Sequence, residues 1–249
     1  MYDILKNKFL EYVSQFDQND ERIRLKIEHT FRVVEIMDYL SQQLNISQED
    51  RELARIIALF HDIGRFEQVR TYHTFVDSES IDHADFGCQI IREQGFFSEK
   101  EDIIVCAIHN HNKLCIEPGL DAHTLLMCKL IRDADKCDIF RVFVSQDYPT
   151  LFGLTKEQIE SSFVSEKVKK ALMEHRCVVK EDRSRGVDYC LTLIGFFYDL
   201  YFDESISYLM QERLYRIPFE NLHFTHEKTR KDIQEIFIEL ENYIQKRMQ

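Results

Sequence analysis

The chain has 249 residues, which is enough to bury a core as one domain or as a domain with an appendage. Acidic residues outnumber basic ones, and the formal net charge is −12. Because long nucleic acids and anionic membranes both require a basic surface, we expect neither as a partner. A small anionic substrate is compatible with this charge, since bound cations can invert the potential inside a pocket.

Glycine and proline are scarce, with 7 and 3 residues, so few points break the backbone and an all-α fold is predicted. Apolar residues recur at intervals of three and four, which is typical of amphipathic helices. The predicted helices cover residues 21–43, 47–61, 82–94, 100–109 and 123–144, followed by 156–164, 165–174, 187–201, 205–213 and 226–246. Residues 65–80 lack this spacing, and we predict a polar loop over a site there.

A break at Pro149 and Gly153 indicates how these helices are organised. We predict a helical domain over residues 1–150, built as a compact multi-helix bundle. A C-terminal helical extension over residues 151–249 is expected to pack on it, so that the two form one structural unit.

Cysteine usage bears on the compartment. The seven cysteines include no CxxC pair, and their odd number and spacing favour reduced thiols. The first residues lack the apolar core of a signal peptide. The most apolar stretch, residues 191–202, is too short to span a bilayer. We therefore expect a cytoplasmic protein.

Three ionisable side chains are predicted to point into the core, with a fourth beside them. His29, His61 and Asp135 lie three, four or seven residues from apolar neighbours on their helices, and Asp62 follows His61. A single inward histidine is more often a hydrogen-bonded core residue, and an inward aspartate is as often a structural ion-pair partner. Because a buried carboxylate needs a cation or several hydrogen bonds, the joint pattern favours a shared divalent-metal site.

The order of these residues resembles the H…HD…D signature of the HD-domain metal-dependent phosphohydrolase superfamily. The local contexts are also similar: a histidine inside an amphipathic helix, the segment Ala-Leu-Phe-His-Asp-Ile-Gly-Arg at residues 58–65, and Ile-Arg-Asp-Ala-Asp-Lys-Cys-Asp at residues 131–138. The His-Asp doublet alone is a weak signal, but the doublet with the upstream histidine and the downstream Ala-Asp-Lys is a strong one. The resemblance covers roughly residues 20–145.

The resemblance implies that His29, His61, Asp62 and Asp135 bind a divalent metal ion. In the family, the doublet aspartate can bridge to a second ion held by further histidines, and His83 and His111 match those positions. His111 shares the inward face of the preceding apolar residues, whereas His109 is rotated away from it. One or two ions are therefore expected. The mixed nitrogen and oxygen ligands accept Fe, Mn, Zn, Ni or Co.

The resemblance also implies a reaction, in which hydroxide formed at the metal attacks a phosphoester. Asp62 would orient that nucleophile. Fixed positive charge for the phosphoryl oxygens is predicted from Arg65 and then Lys113, with Arg70 and Lys136 as weaker candidates. The expected substrate is a small phosphorylated molecule, most commonly a nucleotide among family relatives, cleaved by phosphomonoesterase or phosphodiesterase activity.

An alternative is a non-catalytic module that contains a structural or sensory metal and acts through a protein partner, and a homo-oligomer is compatible with either role. The residues after His111 lack the Gly-Tyr-Pro segment of the cyclic-dinucleotide phosphodiesterase branch. We therefore do not assign that specificity.

Overall fold

The structure is a computed structural model that describes residues 1–145, 147–184 and 186–249, with the backbone alone at residue 150. Within these ranges the chain consists of helices, turns and irregular segments without a β-strand, which confirms the predicted all-α class. No helix of the described ranges is both long and apolar enough to cross a bilayer. The chain divides into two compact units, Met1–Asp138 and Ile139–Gln249.

Seven helices begin in the first unit: α1 (Tyr2–Val13), α2 (Glu21–Gln43), α3 (Gln48–Phe60), α4 (Ile63–Tyr72), α5 (His83–Gln94), α6 (Glu101–His111) and α7 (Ala122–Ser145), the last of which continues into the second unit. The predicted bounds of α2 are confirmed. The Asp20 carboxylate caps its N-terminus by accepting the amide of Arg22. Ser47 caps α3 as predicted, through the amide of Asp50.

Helix α4 corrects the sequence analysis, which placed a loop over residues 65–80. Ile63, Phe66 and Val69 are buried at intervals of three along this helix, and this is helical spacing. The pattern was overlooked because the apolar stripe is short and interrupted by charged residues. Residues 73–80 are irregular as predicted, apart from a single 3-10 turn at Asp77–Glu79.

Helices α4 and α5 approach each other through their backbones at Gly64. A Cβ atom at this position would lie 2.2 Å from the carbonyl oxygen of His83 and 2.7 Å from the amide nitrogen of Gly87. Only a residue without a side chain permits this approach. The glycine therefore sets where α5, and with it His83, lies.

Helix α1 was not predicted from the sequence. Its Phe9 is fully buried, and the ring centroid lies 6.1 Å from that of Phe31, 5.9 Å from that of Phe60 and 5.9 Å from that of Phe66. These edge-to-face contacts join α1 to α2, α3 and α4. The N-terminal segment is thus part of the core that supports the first unit.

The second unit contains the helices α8 (Tyr148–Phe152), α9 (Lys156–Glu160), α10 (Glu166–Met173), α11 (Val187–Phe197), α12 (Asp203–Gln211), α13 (Ile217–Glu220) and α14 (Glu227–Arg247). The predicted helices correspond to α9 to α12 and α14, with shorter ends in several cases. The carboxylate of Asp188 is fully buried and accepts hydrogen bonds from the backbone amides and hydroxyls of Ser165 and Ser184. These bonds tie the starts of α10 and α11 together.

Candidate metal centre

Four histidines of the first unit present the same ring nitrogen to a common space. In each of them Nδ1 lies within 2.6 to 2.7 Å of an oxygen acceptor: Asp138 Oδ2 for His29, Ala58 O for His61, Asp77 Oδ2 for His83 and Ile108 O for His111. Because these oxygens accept, each Nδ1 carries a proton, and Nε2 is the nitrogen that offers a lone pair to a metal ion when the ring is neutral. A histidine held in this way is a ready metal ligand.

Two of these histidines, His29 and His61, and two aspartates form the first group of possible ligand atoms. His29 Nε2 lies 3.3 Å from His61 Nε2 and 3.5 Å from Asp62 Oδ2, and the last two atoms are 3.6 Å apart. Oδ1 of Asp135 lies 3.2 Å from Nε2 of His29 and 3.9 Å from Nε2 of His61. The first three side chains are buried, whereas Asp135 is partly exposed.

The second group uses the other oxygen of Asp62. Its Oδ1 lies 3.4 Å from Nε2 of His83 and 3.8 Å from Nε2 of His111, and the two imidazole nitrogens are 3.0 Å apart. All three residues are buried. One carboxylate thus faces two sets of imidazoles, one through each oxygen.

The helix ends explain how the neighbouring residues His61 and Asp62 point to the same place. Successive residues of a helix are turned by about 100°. The backbone leaves helical geometry at Asp62, where φ is −105° and ψ is 16°, between α3 and α4. His83 is the first residue of α5 and His111 the last of α6. Four of the six ligand candidates therefore lie where helices begin or end, whereas His29 and Asp135 lie inside α2 and α7.

The residues present fit divalent metal ions at both positions. Two ligand atoms that share one ion at about 2.1 Å lie about 3.0 to 3.4 Å apart at octahedral or tetrahedral angles, and the closer pairs of both groups match this spacing. Imidazole nitrogen with carboxylate oxygen suits a transition-metal ion. The ion would also compensate the buried charge of Asp62.

The electrostatics of the site follow from burial and close contacts. Burial alone would raise the pKa of Asp62, but the Lys26 ammonium and the surrounding histidines hold it well below its usual range. Burial lowers the pKa of His61 to about 4. Burial and Lys26 also oppose the charged form of His29, yet its hydrogen bonds to three carboxylates raise its pKa to about 10. The pKa values of the two histidines are therefore shifted in opposite directions.

Lys26 is a site residue that the sequence analysis missed. Its Nζ donates to Asp62 Oδ2 at 2.6 Å and lies 5.4 Å from the ring centroid of Phe75. It precedes His29 by three residues, so the two share a face of α2. That spacing was a signal available in the sequence.

Asp138 and Asp77, which orient His29 and His83, were missed as well. Asp138 follows Asp135 by three residues on α7 and is fully buried, so helical spacing could have revealed it. Asp77 lies in the irregular segment before α5, where no periodicity indicates the direction of a side chain. Only the folded chain shows its contact with His83.

The cations predicted from the sequence already have partners. Arg65 Nη1 donates to Gln68, to the carbonyl oxygen of Phe75 and to Asp77, and Arg65 Nε lies 3.6 Å from Asp62 Oδ1. Lys113 Nζ lies 2.8 Å from a carboxylate oxygen of Asp82 and 3.1 Å from one of Asp85. The weaker candidate Arg70 is largely exposed and pairs with Glu67, whereas Lys136 is buried and contacts the carbonyl oxygen of Arg132.

His109 lies outside both groups, as its rotation on the helix predicts. Its ring is 41% exposed and its Nδ1 lies 2.6 Å from Asp85 Oδ1. The histidine pair of α6 is therefore divided, with His111 in the second group and His109 at the surface.

Comparison with known families agrees with this geometry. The family model of the HD domain matches residues 27–139, a segment that contains all six predicted ligands. These residues form an HD domain. HD domains bind divalent metal ions, and members of the superfamily are generally metal-dependent phosphohydrolases. The comparisons with curated proteins and with solved structures gave no match.

Proposed function

We propose that this HD-domain protein is a phosphohydrolase that cleaves a phosphoester of a small phosphorylated molecule, with a nucleotide as the leading substrate class. The observation that carries the proposal is the position of Asp62, which directs one oxygen to His29 and His61 and the other to His83 and His111. His29, His61, Asp62 and Asp135 would hold one divalent ion, and Asp62, His83 and His111 a second.

Divalent ions at such positions lower the pKa of water and withdraw charge from phosphoryl oxygens. The chain supplies the geometry for this chemistry. The hydrogen bonds at each Nδ1 fix the rings, so that no side chain has to reorganise when a ligand binds. Asp62 lies between the two imidazole sets and is the residue placed to orient the attacking group.

Lys26 is the cation best placed to contact a substrate. Its ammonium pairs with Asp62. If Asp62 holds a metal ion instead, this ammonium would be available to bind a phosphoryl oxygen next to the centre. The roles predicted for Arg65 and Lys113 stay predictions. Both side chains form ion pairs with carboxylates.

Phosphate release tests the proposal directly. Protein loaded with Mn²⁺ is offered a panel of nucleoside monophosphates, sugar phosphates and phosphodiesters. We expect turnover of at least one member and its loss in His61→Ala, because the variant lacks one of the proposed ligands of the first ion. His109→Ala is the matched control, since it removes an exposed histidine of the same unit. Full activity in His61→Ala would contradict the proposal.

The same experiment addresses the alternative role. Retained metal without turnover on any substrate, together with a stable protein partner, would favour a non-catalytic module. Several expectations stay predictions. They are the absence of long nucleic acid and of membrane partners, the compatibility with a homo-oligomer, and the cytoplasmic location.

A further inference from the structure

His83 is oriented from outside the metal centre by a carboxylate. Asp77 Oδ2 accepts the Nδ1 proton of His83 at 2.7 Å, on the side of the ring opposite to the lone pair at Nε2. Asp77 is 31% exposed and belongs to the 3-10 turn that precedes α5. Without further support, a carboxylate on such a turn would not hold a fixed direction.

Two side chains of α4 provide that support. Arg65 Nη1 donates to Asp77 Oδ1 at 2.8 Å, and Gln68 Nε2 donates to the same oxygen at 2.9 Å. Arg65 Nη1 also donates to the amide oxygen of Gln68 at 2.8 Å. One oxygen of Asp77 is thus held by α4 while the other holds His83.

Gln68 holds residues 77–81 in place through hydrogen bonds. It is fully buried, and its amide nitrogen also donates to the hydroxyl of Ser80 at 2.9 Å and to the carbonyl oxygen of Ile81 at 3.0 Å. These three acceptors share the two N–H groups of a buried amide. The side chain is strongly fixed, because turning it away would leave polar atoms unsatisfied away from water.

The first ligand group has a separate support. Asp138 is fully buried, accepts from His29 at 2.7 Å and receives two hydrogen bonds from Arg32, at 2.7 and 2.9 Å. No residue of this support belongs to the one behind His83. Each half of the centre therefore has its own carboxylate and its own arginine.

We infer that Arg65, Gln68 and Asp77 are positioning residues, which act through His83 to form the second metal position and leave the first position intact. The inference rests on the two-ion centre proposed above. It also gives Arg65 a positioning role besides the predicted phosphate binding, because Arg65 Nη1 donates to three acceptors within the chain. The partly exposed Asp77 makes the second position the weaker of the two.

Binding of Mn²⁺ to Asp77→Ala and Arg65→Ala tests this inference, measured as ions per chain and as two dissociation constants. We expect wild type to bind two ions. In both variants one ion should bind about 10- to 100-fold more weakly, as is usual when the partner of a ligating histidine is removed, with the other unchanged. Asp38→Ala is the matched control, because Asp38 is 25% exposed and also pairs with an arginine, Arg51.

Nitrogen NMR of the imidazoles in the metal-free protein gives a readout that is independent of metal and of turnover. His83 should carry its proton on Nδ1 in wild type and shift toward the Nε2 tautomer in Asp77→Ala, whereas His61, whose Nδ1 faces a backbone carbonyl, should not change. Asp77→Asn keeps an acceptor, so its population of the Nε2 tautomer of His83 should lie between those of wild type and Asp77→Ala.

If both dissociation constants of Asp77→Ala and of Arg65→Ala equal those of wild type, the inference is overturned. Binding of a single ion by wild type would also overturn it. Weakening of both ions equally would show general damage and would also overturn it. These outcomes are distinct from failure of the proposed function, which is absence of phosphate release by wild type with its ions bound.

Discussion

The ammonium of Lys26 lies 2.6 Å from the Oδ2 atom of Asp62, the same oxygen that faces His29 and His61. The lysine thus pairs with the oxygen that the first ligand group would offer to a metal ion. A metal ion held there would compete with the lysine for this carboxylate, and that competition would have measurable consequences.

Lys26→Met keeps the aliphatic stem and removes the charge. We expect kcat/KM for phosphate release to fall by about 100-fold, as for loss of one preorganised charge partner, while Mn²⁺ affinity stays equal or rises because a competitor is gone. Lys6→Met is the control, since Lys6 also lies over a phenylalanine ring, at 5.2 Å from the centroid of Phe31. A variant with weaker metal binding and unchanged turnover would assign Lys26 to the support of Asp62 instead.

Asp138→Asn removes the buried charge shared by His29 and Arg32. Because it leaves both partners without their anion, the free energy of unfolding of the metal-free protein should fall by about 3 kcal/mol. Chemical denaturation measures this change. Asp38→Asn, which breaks a more exposed ion pair with Arg51, should cost no more than about 1 kcal/mol. Equal losses of unfolding free energy in the two variants would show that the buried ion pair stabilises the protein no more than the exposed one.

Metal binding should release a proton at neutral pH. The pKa of His29 is raised to about 10, so its imidazole is charged in the metal-free site, and a ligand must be neutral. His61, with a pKa lowered to about 4, is already neutral and releases none. Affinity should therefore rise with pH through neutrality up to about pH 10. Calorimetry in two buffers of different ionisation enthalpy counts the protons, and a count of zero between pH 7 and 8 would contradict the assignment.

The close approach at Gly64 predicts that alanine is more destabilising at residue 64 than at residue 87. Gly64→Ala drives a methyl group against the backbone of His83 and should lower the free energy of unfolding by about 1–3 kcal/mol, with weaker binding of the second ion. Gly87→Ala should have a smaller effect, because its Cβ would lie 3.3 Å from the nearest backbone atom. Equal stability of Gly64→Ala and wild type, measured by thermal unfolding, would exclude the contact.

Helical periodicity predicted the parts of the molecule that depend on local spacing. It gave the bounds of α2 and placed His29, His61 and Asp135 on inward faces, and the structure brings these side chains together. Their role as ligands stays a prediction. Periodicity could not place Asp77, because its segment is irregular and its direction is decided by contacts with α4. It also missed α4 itself, whose apolar stripe is short.

Phosphate release before chelation, after chelation and after return of Mn²⁺ tests the central claim most directly. We predict that wild type hydrolyses at least one small phosphoester, that chelation abolishes this activity and that Mn²⁺ restores it. Hydrolysis that persists after complete removal of metal, or no hydrolysis by protein with its ions bound, would contradict the account.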